Sequence, residues 1–301
     1  MPLNELWVWA RGRAFRKSQA DDWLTLFREV GFTDVVFCLN DYGFESFDMY
    51  ASPTRIADVA RWYQDAGIRT HLMSWIKPDR DFIGAAASTL IPLCERAEVT
   101  SLMWDVEEYW TGDKANHAQV AYEIVAPSFA PLLCPMGTTG ITDIPRTVEP
   151  MVAIADYAVP QAYSFPGRTD WHQPGRTQNL AVEFWRPLHR PLVMGLAAYK
   201  QGDTTSAMRT CVSRTLALGQ RRIAYWDNLP VKSNRSVRAF LRELADTVHH
   251  GPSFLARPTS DPAWAPFALG AAEHASPSPT SLVPVAAGLG LLAAAGFATR
   301  R

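Results

Sequence analysis

Cysteine is scarce. The 301 residues contain four, Cys38, Cys94, Cys134 and Cys211. They are far apart and each lies in an apolar context, so they read as buried free thiols, with no zinc-finger spacing among them. Charge of one sign is lacking too. The formal net charge is −1 and no Lys/Arg-rich stripe appears, which removes the electrostatic footprint of a nucleic-acid-binding protein. The start, Met1-Pro-Leu-Asn-Glu-Leu-Trp7, has no basic region followed by a long apolar run. A standard secretory signal is therefore not expected. Synthesis in the cytoplasm is expected, with either membrane association through the C-terminus or release to the cell wall by a non-classical route.

Several chemical signatures are missing. No Gly-x-Gly-x-x-Gly follows the first strand, and there is no P-loop, no His-Glu-x-x-His and no Gly-x-Ser-x-Gly elbow. These absences argue against a dinucleotide site, a P-loop nucleotide site, a helical zinc site and a serine-hydrolase elbow. No cofactor and no metal are assigned. A zinc site drawn from separate strand ends, with His71 beside Asp105 or Asp227, stays open as a minor alternative.

What is present is a repeat of architecture. The chain is 48% hydrophobic, and up to about residue 250 it falls into strand-then-helix units. Strands are read at Leu6–Ala10, Asp34–Leu39, Ile68–Ile76, the run to Asp105, Leu132–Met136, Tyr157–Tyr163, Leu192–Ala198 and Arg222–Trp226. Helices are read at Gln19–Val30, from Ser52-Pro53 to Gly67, at Asp81–Ala97 with a break near Pro92, and at Ala115–Phe129. The rest are Val148–Ala155, Gln178–Leu188, Ser206–Leu218 and Val237–His249. Gly137-Thr-Thr-Gly140 reads as a turn closing the fifth strand. Eight such units in about 250 residues predict a (β/α)₈ TIM barrel, an α/β fold, over residues 1–251. Residues 252–281 are rich in Pro, Ser and Ala and read as a flexible linker. Residues 282–301 form a short apolar C-terminal segment. Its run Leu282–Ala298 is at the lower edge of bilayer-crossing length and ends in Arg300-Arg301, so it is a possible membrane anchor or partner-docking segment.

The stretch that organises the chain is Val99-Thr-Ser-Leu-Met-Trp-Asp-Val-Glu-Glu-Tyr-Trp110. Residues two apart on a strand share a face, so Asp105 and Glu107 point the same way as Ser101 and Met103. Paired carboxylates raise each other's proton affinity, one route to an acid still protonated near neutral pH. Trp104, Tyr109 and Trp110 would surround them with apolar surface. Glu108 should face away. In a barrel of this kind the chemistry sits where strands run into the following loops. Those ends carry Trp9 and Arg11, Asn40 and Asp41, Ser74 and Trp75, Asp105 and Glu107, Met136, Gln161 and Tyr163, Tyr199 and Lys200, and Trp226, Asp227 and Asn228. Aromatics mixed with acids and amides suit a carbohydrate cleft. Each aromatic taken singly could equally be core.

These residues resemble the barrel-fold glycoside hydrolases. The chitinase-like family 18 enzymes carry Asp-x-Glu at the end of strand four, Tyr at the end of strand six and Trp at the end of strand eight. The matching positions are Asp105 and Glu107, Tyr163, and Trp226. Ser101 and Met103 stand where that family's further acids would be. Family 25 lysozymes also place Asp-x-Glu on strand four, but add an Asp at the first strand end, where this chain has Trp9-Ala10-Arg11. The chain is thus similar to a divergent relative of both groups. The resemblance implies a hydrolase of a β-linked polymer of N-acetylated amino sugars, peptidoglycan ahead of chitin. Glu107 would be general acid, Asp105 would orient the substrate's acetamido group and Tyr163 would steady it, with Asp227 the rival second carboxylate. Trp9, Asn40, Trp75, Trp110, Gln161, Tyr199 and Trp226 would bind sugar. The partner is a polysaccharide, without nucleic acid. The competing reading is a non-catalytic glycan-binding or structural barrel of a cell-surface or phage-like assembly.

Overall fold

Short apolar runs ending at glycine or at a polar cap fold here as strand–helix units. The computed structural model describes residues 3–15, 17–40, 45–107, 110, 114–141, 145–164, 172–197, 205–248 and 255. Eight parallel strands, β1 (Glu5–Ala10), β2 (Asp34–Cys38), β3 (Arg69–Trp75), β4 (Ser101–Val106), β5 (Met136–Ile141), β6 (Tyr157–Gln161), β7 (Met194–Ala197) and β8 (Arg222–Trp226), close into a barrel in chain order. Closure is made by β1 on β8, with Leu6 opposite Ile223. The helices are α1 (Lys17–Val30), α2 (Pro53–Asp65), α3 (Arg80–Ala97), α4 (Lys114–Val120), α5 (Ala126–Phe129), α6 (Pro145–Ile154), α7 (Arg176–Trp185), α8 (Thr205–Ala217), α9 (Asn228–Ser233) and α10 (Arg235–Ala245). The predicted (β/α)₈ barrel is the observed fold.

Local chemistry sets the helix ends. Ser52 caps α2, its hydroxyl accepting the Arg55 amide at 3.3 Å ahead of Pro53, as the serine–proline pair predicts. Asp79 does the same for α3 through the Phe82 amide at 2.8 Å. Helix α3 runs unbroken through Pro92, contrary to the break expected there. Pro92 and Ser88 both face solvent, so the carbonyl that proline leaves without its helical donor is open to water. The helix read at Ala115–Phe129 is three pieces, α4, a π-helical turn at Ala121–Val125, and α5. Helix α9 was not expected, and α10 ends at Ala245, not His249. The fifth strand, expected at Leu132–Met136, begins only at Met136 and runs to Ile141, and Val193, expected in the seventh, falls one place before β7.

The side chains alternate between two cores. Leu6, Val8, Val35, Phe37, Leu72, Leu102 and Trp104 face the helices, while Trp7, Trp9, Val36, Met73, Met103, Tyr157 and Val159 fill the barrel. Gly137-Thr-Thr-Gly140 lies inside β5, not in a turn. The glycines serve close packing. A Cβ on Gly137 would lie 2.2 Å from the Tyr157 ring, and one on Gly140 would lie 2.8 Å from the Val106 carbonyl. Gly137→Ala is therefore expected to destabilise the barrel by ~1–3 kcal/mol. Gly84→Ala, on α3 with nothing within 4 Å of the added carbon, should instead stabilise by ~0.5–1 kcal/mol. Thermal melts of the two variants check the contrast.

A compact unit spans Met1–Ala256. Leu255, at the start of the expected linker, is buried and belongs to the core cluster inside the barrel; the rest of the linker and the apolar tail lie outside the described residues. Among the described residues no helix is long and apolar enough to cross a membrane.

Candidate active site

Alternation on β4 sends Ser101, Met103 and Asp105 into the barrel, and Glu107 follows one residue past the strand end. Across the barrel, β6 sends in Tyr157, Val159 and Gln161. Between them β5 turns the small groups Gly137 and Thr139 to the interior. Side chains of β4 and β6 therefore meet over it. The Ser101 and Tyr157 hydroxyls lie 2.6 Å apart, and higher up the Gln161 amide donates to Asp105 Oδ1 at 3.0 Å. The same Nε2 lies 3.4 Å from Glu107 Oε1. One neutral donor thus bridges two carboxylates, which places Asp105 and Glu107 on one face, as the spacing predicts. Thr139 donates to the Val159 carbonyl at 2.7 Å, so its own hydroxyl is turned to β6. Asp105, Glu107, Gln161 and Tyr163 are all half-buried.

The opposite wall of the mouth is aromatic and basic. Trp9 fills the space over Gly195, where an added Cβ would come within 3.2 Å of its ring and 3.5 Å of Gln161 Cα. Trp226 meets Trp9 edge-on at 5.6 Å. The Arg11 guanidinium lies 4.9 Å over the Trp226 ring and pairs with Asp227 Oδ2 at 3.0 Å. Arg11 was visible at the first strand end but had no assigned role. Its signal was a place two residues beyond Trp9, on a strand neighbouring the one that carries Trp226. The Trp226–Asp227 peptide is cis.

Several expected sugar contacts are structural. Asp227 is 4% exposed and caps α9, its Oδ1 accepting the Leu229 amide at 2.8 Å while Oδ2 holds Arg11. That leaves it poorly placed as a second catalytic carboxylate. Asn40 pins the end of β3, accepting the Trp75 amide at 2.8 Å. Trp75 packs edge-on against Phe82 of α3, and Trp104 against Phe129 of α5. Trp110 is fully buried and donates to the Ile76 carbonyl at 2.9 Å. Trp9 is 1% exposed. Burial makes Trp75, Trp104 and Trp110 packing residues, whereas Trp226 at the mouth is half-buried. Tyr199, Lys200, Asp41, Glu108 and Tyr109 lie outside the described residues.

His71 is not at the mouth. It sits near the opposite end, stacked 4.2 Å from Trp7, with Nε2 3.0 Å from Asp34 and Nδ1 2.7 Å from Ser101. That removes the zinc alternative built on His71 and Asp105. No group of three or more potential metal ligands occurs among the described residues. The Arg69 guanidinium grips Asp34 with two bonds of 2.7 Å. Burial pushes the Asp34 carboxyl up, but the His71 hydrogen bond and the His71 and Arg69 charges outweigh it and hold the carboxyl below its ordinary range.

The sequence matches no family model, and no curated protein matches it. Solved structures do match in fold. A chitinase from Bacteroides thetaiotaomicron aligns with a TM-score of 0.61 at 10% identity, over 83% of this chain and 100% of that one. The spore cortex-lytic enzyme SleL of Bacillus cereus aligns at 0.58 and 12% identity, over 83% of this chain and 76% of that one. An endo-1,4-β-D-mannanase from Thermotoga petrophila aligns at 0.56 and 9% identity, over 82% and 99%. At these identities the likeness is one of fold.

Proposed function

We propose that this protein is a glycoside hydrolase acting on a β-linked polymer of N-acetylated amino sugars, bacterial peptidoglycan ahead of chitin. The observation that carries the reading is the Asp105–Gln161–Glu107 cluster at the C-terminal mouth of the barrel, where such folds do their chemistry. The shared fold with a chitinase and a cortex-lytic enzyme supports the choice of substrate class. Glu107 is the general acid that protonates the leaving glycosidic oxygen. Asp105 lies too near Glu107 on the same wall to activate a water across the sugar ring. It orients the substrate's acetamido group, which attacks the anomeric carbon in a substrate-assisted route. Gln161 fixes the rotamers of both acids. Tyr163 steadies the acetamido oxygen, and Trp226 supports a sugar ring.

The test is digestion of purified peptidoglycan and of chitin oligomers, with analysis of the new chain ends. Release of reducing amino-sugar ends supports the reading, and glycan binding without any release moves the protein to the glycan-binding barrel. Arg11 lies on the Trp226 ring face, so a sugar stacking there must share or displace it. The run 282–298 is proposed to hold the protein at a membrane. Deleting residues 252–301 should then shift it to the soluble fraction with cleavage intact, and unchanged fractionation would refute the anchor.

A further inference from the structure

The mouth of the barrel carries a cation that the proposed chemistry does not use. Arg11 follows β1 directly and Trp226 ends β8, and the pairing of these two strands brings both to one rim. The guanidinium is fixed from two sides. Its carbon lies 4.9 Å over the Trp226 ring, and its Nε pairs with Asp227 Oδ2 at 3.0 Å. Asp227 is itself held, because its Oδ1 accepts the Leu229 amide at the start of α9. Burial of the ion pair is one-sided, with the Asp227 side chain 6% exposed and that of Arg11 46%. Water screens a half-exposed pair, so it contributes little to stability. What the arrangement does provide is a cation held in one place and open to solvent. With Nε turned to Asp227, the edge formed by the two terminal amino groups can take a second carboxylate through two parallel hydrogen bonds. We propose that Arg11 is a specificity-determining residue that selects glycans with a carboxylate close to the sugar seated beside Trp226, a role that rests on the carbohydrate reading of this mouth.

The other wall shows why such a cation matters. Asp105 and Glu107 stand there together, bridged by the Gln161 amide. The substrate-assisted route keeps Asp105 ionised, and an ionised Asp105 repels a carboxylated sugar. A mouth with acids alone would therefore favour neutral glycans. Arg11 sits beyond the edge-on pair of Trp9 and Trp226, so an anionic sugar has a place away from the acids. Walls of opposite character also orient the chain. In a polymer that alternates acidic and neutral sugars, seating the acidic sugar at Arg11 fixes the register. Only one of the two alternating linkages is then presented to Glu107. A neutral homopolymer carries no such mark and would be held in any register.

Binding and cleavage are measured on the full-length protein with oligomers of equal length. One set is peptidoglycan glycan stripped of stem peptides, with its lactyl carboxylates intact. A second is the same glycan with those carboxylates converted to methylamides, a third keeps the stem peptides, and a fourth is chitin. Binding is titrated in Glu107→Gln to hold the glycan uncut. The carboxylate set should bind about 5–20-fold tighter than the methylamide set, with the ratio shrinking as salt rises. Arg11→Gln should remove the preference. Arg11→Lys should keep only part of it, since an ammonium lacks the fork. A merely structural Arg11 would change the affinities of all four sets alike. In cleavage of the stem-free glycan, wild type should release one class of new reducing end and Arg11→Gln both. Tighter binding of stem-free than of peptide-bearing glycan supports a carboxylate on the sugar itself, and the reverse order supports one on the peptide. If a variant fails to fold, wild type decides alone, by kcat/KM where it cleaves and by titration where it does not. Equal affinity for the carboxylate and methylamide sets, or a preference that survives in Arg11→Gln, overturns the role of Arg11 and leaves the hydrolase reading standing. Charge-selective binding without cleavage supports Arg11 and removes the hydrolase. Binding of none of the four sets overturns both.

Discussion

Glu107→Gln is expected to lower glycan cleavage by about 10²-fold or more, with the loss in kcat and little change in KM. Glutamine keeps the size and planarity of the side chain but has no proton of the acidity needed at the leaving oxygen. Its carbonyl oxygen can still accept from the Gln161 amide, now 3.4 Å from Oε1, so the wall of the mouth should keep its shape. Asp105→Asn separates the two carboxylate roles. Asparagine can still accept the 3.0 Å bond from Gln161, yet it cannot balance the positive charge that grows on the acetamido group during attack. A substrate carrying an acetamido group should suffer strongly from this change. Unchanged turnover in Glu107→Gln would remove the general-acid assignment. Equal loss from Asp105→Asn on acetylated and deacetylated oligomers would remove the substrate-assisted route.

The strands were legible because a strand buried on both faces reads as a short apolar run bounded by turn residues and followed by a helix-period segment, and eight such units suit a closed barrel. Asp105 and Glu107 could be placed on one face because side chains two apart on a strand point the same way. Register across the barrel was not legible. Nothing in the sequence shows that Gly137 and Thr139 are the low ground over which β4 and β6 side chains meet. Two glycines flanking two threonines look like a turn when only neighbours in sequence are considered. The aromatics show the same limit. Trp75, Trp104 and Trp110 stand close to strand ends as Trp226 does, but a one-dimensional pattern does not say which ring faces are covered. Phe82 and Phe129 cover the first two, and the Ile76 carbonyl holds the third in place. Asp227 was read as a rim acid because it follows a strand. The helix it caps is only six residues long, too short to announce itself by periodicity.

Asp34→Asn is expected to be among the most destabilising single changes in the barrel, by ~3–5 kcal/mol, and to leave the chemistry of each folded molecule alone. Asp34 is fully buried and accepts both bonds from Arg69 and one contact from His71, which continues through Ser101 to Tyr157. Glu5 lies only 3.4 Å from Arg69 and 3.9 Å from Arg222, so it supplies part of the balancing charge. Removing the Asp34 charge leaves the Arg69 guanidinium partly desolvated with a single, more distant acid. At ~2–4 °C per kcal/mol for a chain of this size the melting temperature should fall by roughly 6–20 °C. The pH dependence follows from the direction of the shift. The Asp34 carboxyl titrates lower when folded than when unfolded, where it takes its ordinary value near ~3.9. Its contribution is therefore complete above that value and is lost as pH falls through the folded pKa. Wild type and Asp34→Asn should differ most near neutral pH and converge in acid. Asp58→Asn provides the control, because Asp58 and Arg61 are an exposed pair at 3.4 Å and should change stability by no more than ~0.5 kcal/mol. Denaturant melts from pH 7 down to pH 3 read all three proteins. A gap that stays constant with pH, or an Asp34→Asn effect no larger than the control's, would show that the charge at the barrel floor does not hold the strands together. The mouth lies at the other end of the same strands, so Glu107→Gln should do the reverse, with activity lost and the melt unmoved.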